Sequence, residues 1–281
     1  MKNSRIEIYL LLLLVCFGLN TAAQVSLMTF NLRYDNKNDG ENRWEYRKAD
    51  VATLVVKYKP GILGIQEGLY HQVTYLDSVL TNYSYVGVGR DDGLQAGEYT
   101  AIFFDTAQFK LLFTQTYWLS ETPEKPSKGW DAALPRITTY ASLIAVDSGD
   151  TLHIFNCHFD HIGELARINA SKLLLQLIAA QGLQNSAVVV MGDFNSTPDS
   201  ESIKQLKKEL ADALEVCLSP ATGEFGTFNG FGAASQPYAR IDYVFVKNLS
   251  VTTFACLTDH RANGLFISDH FPLFATLNFL R

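Results

Sequence analysis

The chain has 281 residues, 47% of them hydrophobic and 19% charged, with a formal net charge of −6. That apolar content supports a large buried core and excludes a disordered chain. The acidic balance excludes a tight nonspecific binder of duplex DNA, which needs a basic footprint to displace counterions.

Lys2 and Arg5 precede an apolar run over residues 8–17, and Thr21-Ala22-Ala23 follows with small side chains. This order predicts a secretory signal peptide, residues 1–23, cleaved after Ala23. The run is shorter than the ~20 residues of a membrane-spanning helix. Export to the periplasm or the extracellular space is therefore expected, with residues 24–281 as the mature domain. Bulky Val15 stands where a lipid-modified Cys16 would want a small neighbour. Cys157, Cys217 and Cys256 are odd in number and lack metal-ligand spacing, so they read as packing residues forming at most one disulfide.

Residues 25–32 alternate as a strand, and 44–58 carry a helical pattern stopped by Pro60-Gly61. A buried strand at 62–67 and a helix at 71–80 follow. Strands are predicted at 99–104, 109–119, 138–146 and 151–159, the last two joined by Asp147-Ser148-Gly149-Asp150. The helix over 164–180 has Leu165, Ile168, Leu173, Leu177 and Ile178 on its expected apolar face and Gly182 as its stop. A strand at 187–191 runs into Asp193, a helix covers 200–210, and strands at 240–246, 251–257 and 271–279 complete the chain. Strands in two groups with helices between them predict an α/β fold of two packed sheets flanked by helices. No glycine lies in Phe30-Asn31-Leu32-Arg33-Tyr34, which argues against a dinucleotide-binding turn after the first strand.

Polar residues cluster where apolar strands end. Glu67 closes the second strand, Asn31 the first, and Asp193 with Asn195 the strand from 187. A carboxylate inside a buried strand needs a partner, because an unpaired buried charge is costly. Asp242 is therefore expected to pair with His270, which it would orient and make more basic. His158 and Asp160 share a strand face, with Glu98 as a further partner for the histidine. Phe228, in the aromatic segment 225–231, reads as a wall able to stack on a base or sugar.

Gln66-Glu67, the segment 156–161, Gly192-Asp193-Phe194-Asn195, Arg240-Ile241-Asp242-Tyr243 and Ser268-Asp269-His270 occur in this order across nearly all of residues 24–281. Together they resemble the endonuclease/exonuclease/phosphatase superfamily. It includes pancreatic deoxyribonuclease, abasic-site endonucleases, neutral sphingomyelinases, inositol polyphosphate 5-phosphatases and deadenylases. The resemblance implies a four-layer α/β/β/α sandwich and phosphoester hydrolysis by water, dependent on Mg2+ with Mn2+ as a substitute. It makes Glu67 the principal metal ligand, with Asn31 and Asp269 beside it. It assigns Asp193, helped by Asn195, to the attacking water, and His270, held by Asp242, to the scissile phosphate. His158 matches a histidine in one branch and a tyrosine in another, and Arg136 falls where relatives place a phosphate-contacting arginine. A phosphodiesterase or a phosphatase fits these residues, acting as a monomer on nucleic acid, nucleotide, sugar phosphate or lipid head group. The alternatives are a sphingomyelinase-like enzyme, using Tyr117-Trp118 with Trp130 or the 225–231 segment against lipid, and a noncatalytic binding protein on the same fold.

Overall fold

Alternation with period two sorts a strand's side chains onto two faces, and most strands of this chain have both faces covered. The computed structural model describes residues 24–235 and 238–280, so the expected signal segment 1–23 lies outside them. One sheet holds β1 (Gln24–Asn31), β2 (Ile62–Gln66), β3 (Tyr83–Val86), β4 (Ile102–Asp105), β11 (Leu249–Cys256) and β12 (Leu273–Phe279), in the order β11-β12-β1-β2-β4-β3. The other holds β5 (Phe109–Trp118), β6 (Ile137–Ala145), β7 (Thr151–His158), β8 (Ala187–Asp193), β9 (Ala211–Asp212) and β10 (Asp242–Lys247), in the order β5-β6-β7-β8-β10-β9. Each sheet contains one parallel pair spanned by a helix. In the first, α1 (Trp44–Tyr58) carries the chain from β1 to β2; in the second, α3 (Glu164–Ala180) carries it from β7 to β8. Shorter helices α2 (Tyr70–Val79), α4 (Glu201–Leu206) and α5 (Ala213–Val216) complete the set.

Three apolar clusters define the layers. Val25, Leu27, Ile62, Ile154, Val189, Met191, Val244, Val246 and Leu277 pack between the sheets. Met28, Phe30 and Ile65 face α1 and α2, while Phe155, Val190, Tyr243 and Phe245 face α3 and α4. The result is a four-layer α/β/β/α sandwich.

Several expected boundaries move. α1 and α3 keep the predicted limits. β4 starts at Ile102 instead of residue 99, because Tyr99 makes only an isolated bridge to Gly68. α4 stops at Leu206, β12 starts after Pro272, and β3, β9 and α5 lack a sequence signal long enough to read. α3 buries Ala166, Ala170, Ser171, Leu174 and Ile178, whereas Leu165 is 51% exposed. Small residues let this helix approach its sheet, so its buried stripe is offset from its most hydrophobic one. The three cysteines are free.

A polar crossbar joins the sheets behind the mouth. Asn156 of β7 donates from Nδ2 to Ile65 O (2.8 Å) and Ala101 O (2.9 Å), and its Oδ1 accepts from Gln66 Nε2 at 2.6 Å. Gly64 makes room for it, since a Cβ there would lie 2.6 Å from Met191 Cε and 2.9 Å from the Asn156 amide.

Candidate active site

The inward-facing positions change character along each strand. On β1 the sequence Val25, Leu27, Thr29, Asn31 turns polar; on β7, Leu152 and Ile154 give way to Asn156 and His158; on β8, Val189 and Met191 give way to Asp193. Antiparallel β10 enters with Asp242 before Val244 and Val246. All the polar members therefore gather at one mouth of the sandwich. Register makes this a row, because Asp193 is paired laterally with His158 on one side and with Asp242 on the other. In the opposite sheet Asn31 stands beside Gln66, and Glu67 follows at once.

The backbone turns sharply where these strands end. Arg33, Glu67 and Asn195 adopt left-handed φ values of 58°, 62° and 47°, a conformation that non-glycine residues hold only when their surroundings enforce it. Side-chain contacts supply the enforcement. Glu67 Oε1 accepts from Asn31 Nδ2 (3.1 Å) and Oε2 from Tyr34 N (3.0 Å). Asn195 N donates to Asp193 Oδ1 at 2.9 Å, and Asn195 Nδ2 to Phe159 O at 3.0 Å. Gly192 is required just before, since at φ 137° a Cβ would lie 2.0 Å from Cys157 O.

Asp193 is the centre of the constellation. Its Oδ2 accepts from Asn31 Nδ2 at 2.9 Å and faces His158 Nε2 at 3.6 Å and His270 Nε2 at 3.8 Å. His270 Nδ1 donates to Asp242 Oδ2 at 2.8 Å, the pairing expected from the sequence. Burial alone would lower the His270 pKa, but the charges of Asp242 and Asp193 outweigh it and hold the ring well above the usual histidine range. His158 Nδ1 lies 3.6 Å from Glu98 Oε2, too long for a hydrogen bond. Burial, then the charges of Arg136 and Arg90, keep His158 well below the usual range, so it is neutral.

Arg136 is nearly buried, and its Nη1 is 3.2 Å from His158 Nδ1 and 3.0 Å from Nε2. A nitrogen so placed in the ring plane would collide with Cε1, so the guanidinium lies over the imidazole face. Asp160 anchors it through Nε at 3.2 Å and also accepts from the backbone N–H groups of Ala133, Leu134, Ile162 and Gly163. Burial would raise the Asp160 pKa, but those N–H groups and Arg136 drive it well below the carboxylate range. Phe228 is half-buried, its ring edge-on to His270 at 5.1 Å between centroids. Asp269 touches Ser268 Oγ at 3.3 Å and Arg33 Nε at 3.7 Å.

Sequence reasoning missed Arg90, which grips Glu98 with both terminal nitrogens (2.6 and 2.8 Å), and Thr227, whose Oγ1 accepts from the backbone N–H of Ile241 and Asp242. Neither ends an apolar strand, so neither carries a local signal. Trp118, one candidate for lipid contact, is buried with its indole N–H on Arg90 O at 2.7 Å.

Five carboxyls, those of Glu67, Glu98, Asp193, Asp242 and Asp269, crowd this mouth. Burial pushes Asp193 up to about 7 with the Asp242 charge adding, and Glu98 up to about 7 with the Glu67 charge adding. Burial also raises Asp269 to about 6, opposed by His270 and reinforced by Glu67. Ligand atoms of Glu67, His158 and Asp193 all lie within 4.8 Å of one another, as do those of Asp193, Asp242 and His270. Carboxylates buried this close together fit a hard divalent cation, which would relieve their repulsion.

Histidines and carboxylates at the mouth of a two-sheet α/β sandwich define a phosphoesterase fold. Residues 28–270 match the Endonuclease/Exonuclease/phosphatase family, and the chain belongs to it. Its structure is similar to that of an endonuclease/exonuclease/phosphatase family protein from Bacteroides thetaiotaomicron, at 34% identity and a TM-score of 0.88, covering 93% of this chain and 100% of that one. It is also similar to a mannosyl-6-phosphatase of Bacteroides thetaiotaomicron, at 36% identity and TM-score 0.86, covering 91% and 100%. TDP2 of D. rerio, complexed with a single-strand DNA product, shares the fold at 17% identity and TM-score 0.72, covering 91% and 99%.

Proposed function

We propose that this chain is an exported, divalent-metal-dependent hydrolase that cleaves a phosphate monoester of a sugar by attack of water. The observation that carries the reading is Asp193 Oδ2, set between two imidazoles and the Asn31–Glu67 pair. The 36% identity to a mannosyl-6-phosphatase favours a sugar phosphate, and the acidic chain disfavours a polyanionic nucleic acid.

Glu67, with Asn31 and Asp269, would hold Mg2+ or Mn2+, whose chemistry is to supply positive charge to phosphoryl oxygens without a proton. Asp193, its orientation fixed by Asn195 N and Asn31 Nδ2, accepts a proton of the attacking water as the water oxygen bonds phosphorus; the bond from phosphorus to the sugar oxygen breaks, and the sugar leaves as its alcohol on taking up a proton. His270, charged and braced by Asp242, donates from Nε2 to a phosphoryl oxygen. His158, neutral, offers one further hydrogen bond from the opposite side, with Arg136 over its face. Phe228 bounds the space beside His270.

The test is phosphate release by the purified mature chain from mannose 6-phosphate, compared with cleavage of plasmid DNA, RNA and sphingomyelin. Release from the sugar phosphate is expected only with metal, and full activity in chelator would sink the proposal. Cleavage of sphingomyelin or DNA alone would make the enzyme a diesterase; no cleavage of any substrate would favour the noncatalytic alternative. Glu67→Gln should raise the magnesium needed for half-maximal activity by about 10-fold or more. Export is tested by N-terminal sequencing of protein released from cells, where Gln24 is the expected first residue.

A further inference from the structure

His161 lies beside the constellation but takes no part in the chemistry proposed above. Arg136 has donors only, and its Nη2 lies 2.8 Å from His161 Nδ1. Nδ1 must therefore be the bare, accepting nitrogen, which makes His161 a neutral imidazole with its proton on Nε2. Burial and the Arg136 charge lower its pKa in the same sense. Among the described residues Nε2–H has no protein acceptor, and the side chain is 47% exposed. A fixed donor thus stands one guanidinium away from the histidine that faces Asp193.

Its surroundings narrow the ligand. Ile162 is 66% exposed and Leu134 is also exposed, and the backbone N–H of each is pinned by the buried Asp160. A neutral donor whose chain neighbour Ile162 exposes an apolar side chain, with its other nitrogen already taken by Arg136, suits neither a second phosphate nor a bare alkyl chain. It suits a polyhydroxyl ring, which presents oxygen acceptors and C–H surface together.

We infer that His161 is a specificity residue whose Nε2–H donates to a hydroxyl oxygen of the leaving group, so that the site selects phosphate esters of sugars over esters lacking hydroxyls. The inference rests on the phosphoesterase reading. Two substitutions separate recognition from mere support of Arg136. His161→Asn puts an amide oxygen where Nδ1 stands, keeping an acceptor for Arg136 while removing the ε donor. His161→Gln puts an amide nitrogen where Nε2 stands, keeping the donor and losing the δ acceptor.

The measurement is calorimetric Kd with magnesium, in an Asp193→Asn background that blocks turnover, for mannose 6-phosphate and for phenyl phosphate. His161→Asn should weaken the sugar phosphate roughly 3- to 10-fold more than phenyl phosphate, the range of one neutral hydrogen bond, and His161→Gln should restore the difference. Equal weakening of both ligands by His161→Asn, no weakening of either, or no binding of mannose 6-phosphate in the parent would overturn the inference. Turnover by the unsubstituted chain is assayed separately. Selective binding without turnover would sink the phosphoesterase reading and leave the His161 contact standing; turnover without selectivity would sink the contact alone.

Discussion

His158 and His270 flank one carboxylate oxygen at 3.6 and 3.8 Å, yet they hold opposite protonation states. On the β10–β12 side His270 has a carboxylate at hydrogen-bond distance and, among the described residues, no arginine hydrogen-bonded to its ring. On the β6–β7 side His158 has Arg136 over its face, Arg90 behind, and Glu98 beyond hydrogen-bond reach. The partner on the far ring nitrogen thus sets what a histidine can do at a shared centre. Distance to Asp193 makes the two nearly equivalent; the neighbours give one a charge and leave the other neutral.

Removing the shared centre should have the largest effect. Asp193→Asn is expected to lower kcat on the best substrate about 10³-fold with little change in KM, because both imidazoles then face an amide. Wild-type kcat in a folded Asp193→Asn protein would place the base elsewhere. Next, Asp242→Asn should cost about 10²-fold in kcat, since the amide cannot hold His270 charged. Circular dichroism checks that the fold survives.

Asp160→Asn probes the other wall through stability. Its depressed folded-state pKa means that it contributes stability above its unfolded pKa, and that this is lost as pH falls through the carboxylate range. The variant should therefore lose about 2 kcal/mol at neutral pH, measured by urea unfolding, and show a flatter acid limb than the parent. A parent-like acid limb would show that Asp160 is not the group responsible. The smallest effect is expected from Glu98→Gln, a roughly 5-fold loss in kcat, because no hydrogen bond joins Glu98 to His158. A loss as large as that of Asp242→Asn would erase the contrast between the walls.

Much of this arrangement was legible in the residues. A polar side chain ending an apolar alternation is a local signal, so Asn31, Glu67, His158 and Asp193 could be named, and the cost of a buried charge led from Asp242 to His270. The bounds of α1 and α3 followed from long periodic patterns closed by Pro60 or Gly182. What escaped depends on contacts between distant segments. β3 is a four-residue edge strand defined by its pairing with β4, and the Arg136 stack on His158 arises from β6 and β7 lying side by side. Leu165 lies on the most hydrophobic stripe of α3 and yet faces solvent, because closeness of approach outranks hydrophobicity there and α3 turns its alanines toward the sheet.

The crossbar of Asn156 and Gln66 bears on how the molecule tolerates change. Below it the sheets meet through the apolar cluster that holds Val189, Val246 and Leu277, which closes only in part over a lost methyl; at the crossbar, three directional bonds tie them. The gap between the sheets at the mouth is thereby decoupled from the filling of the far end. Drift in core composition, such as Val246→Ala or Leu277→Ala, should lower the melting temperature while leaving KM where it was, and a KM that moved with melting temperature would show that the pin does not hold.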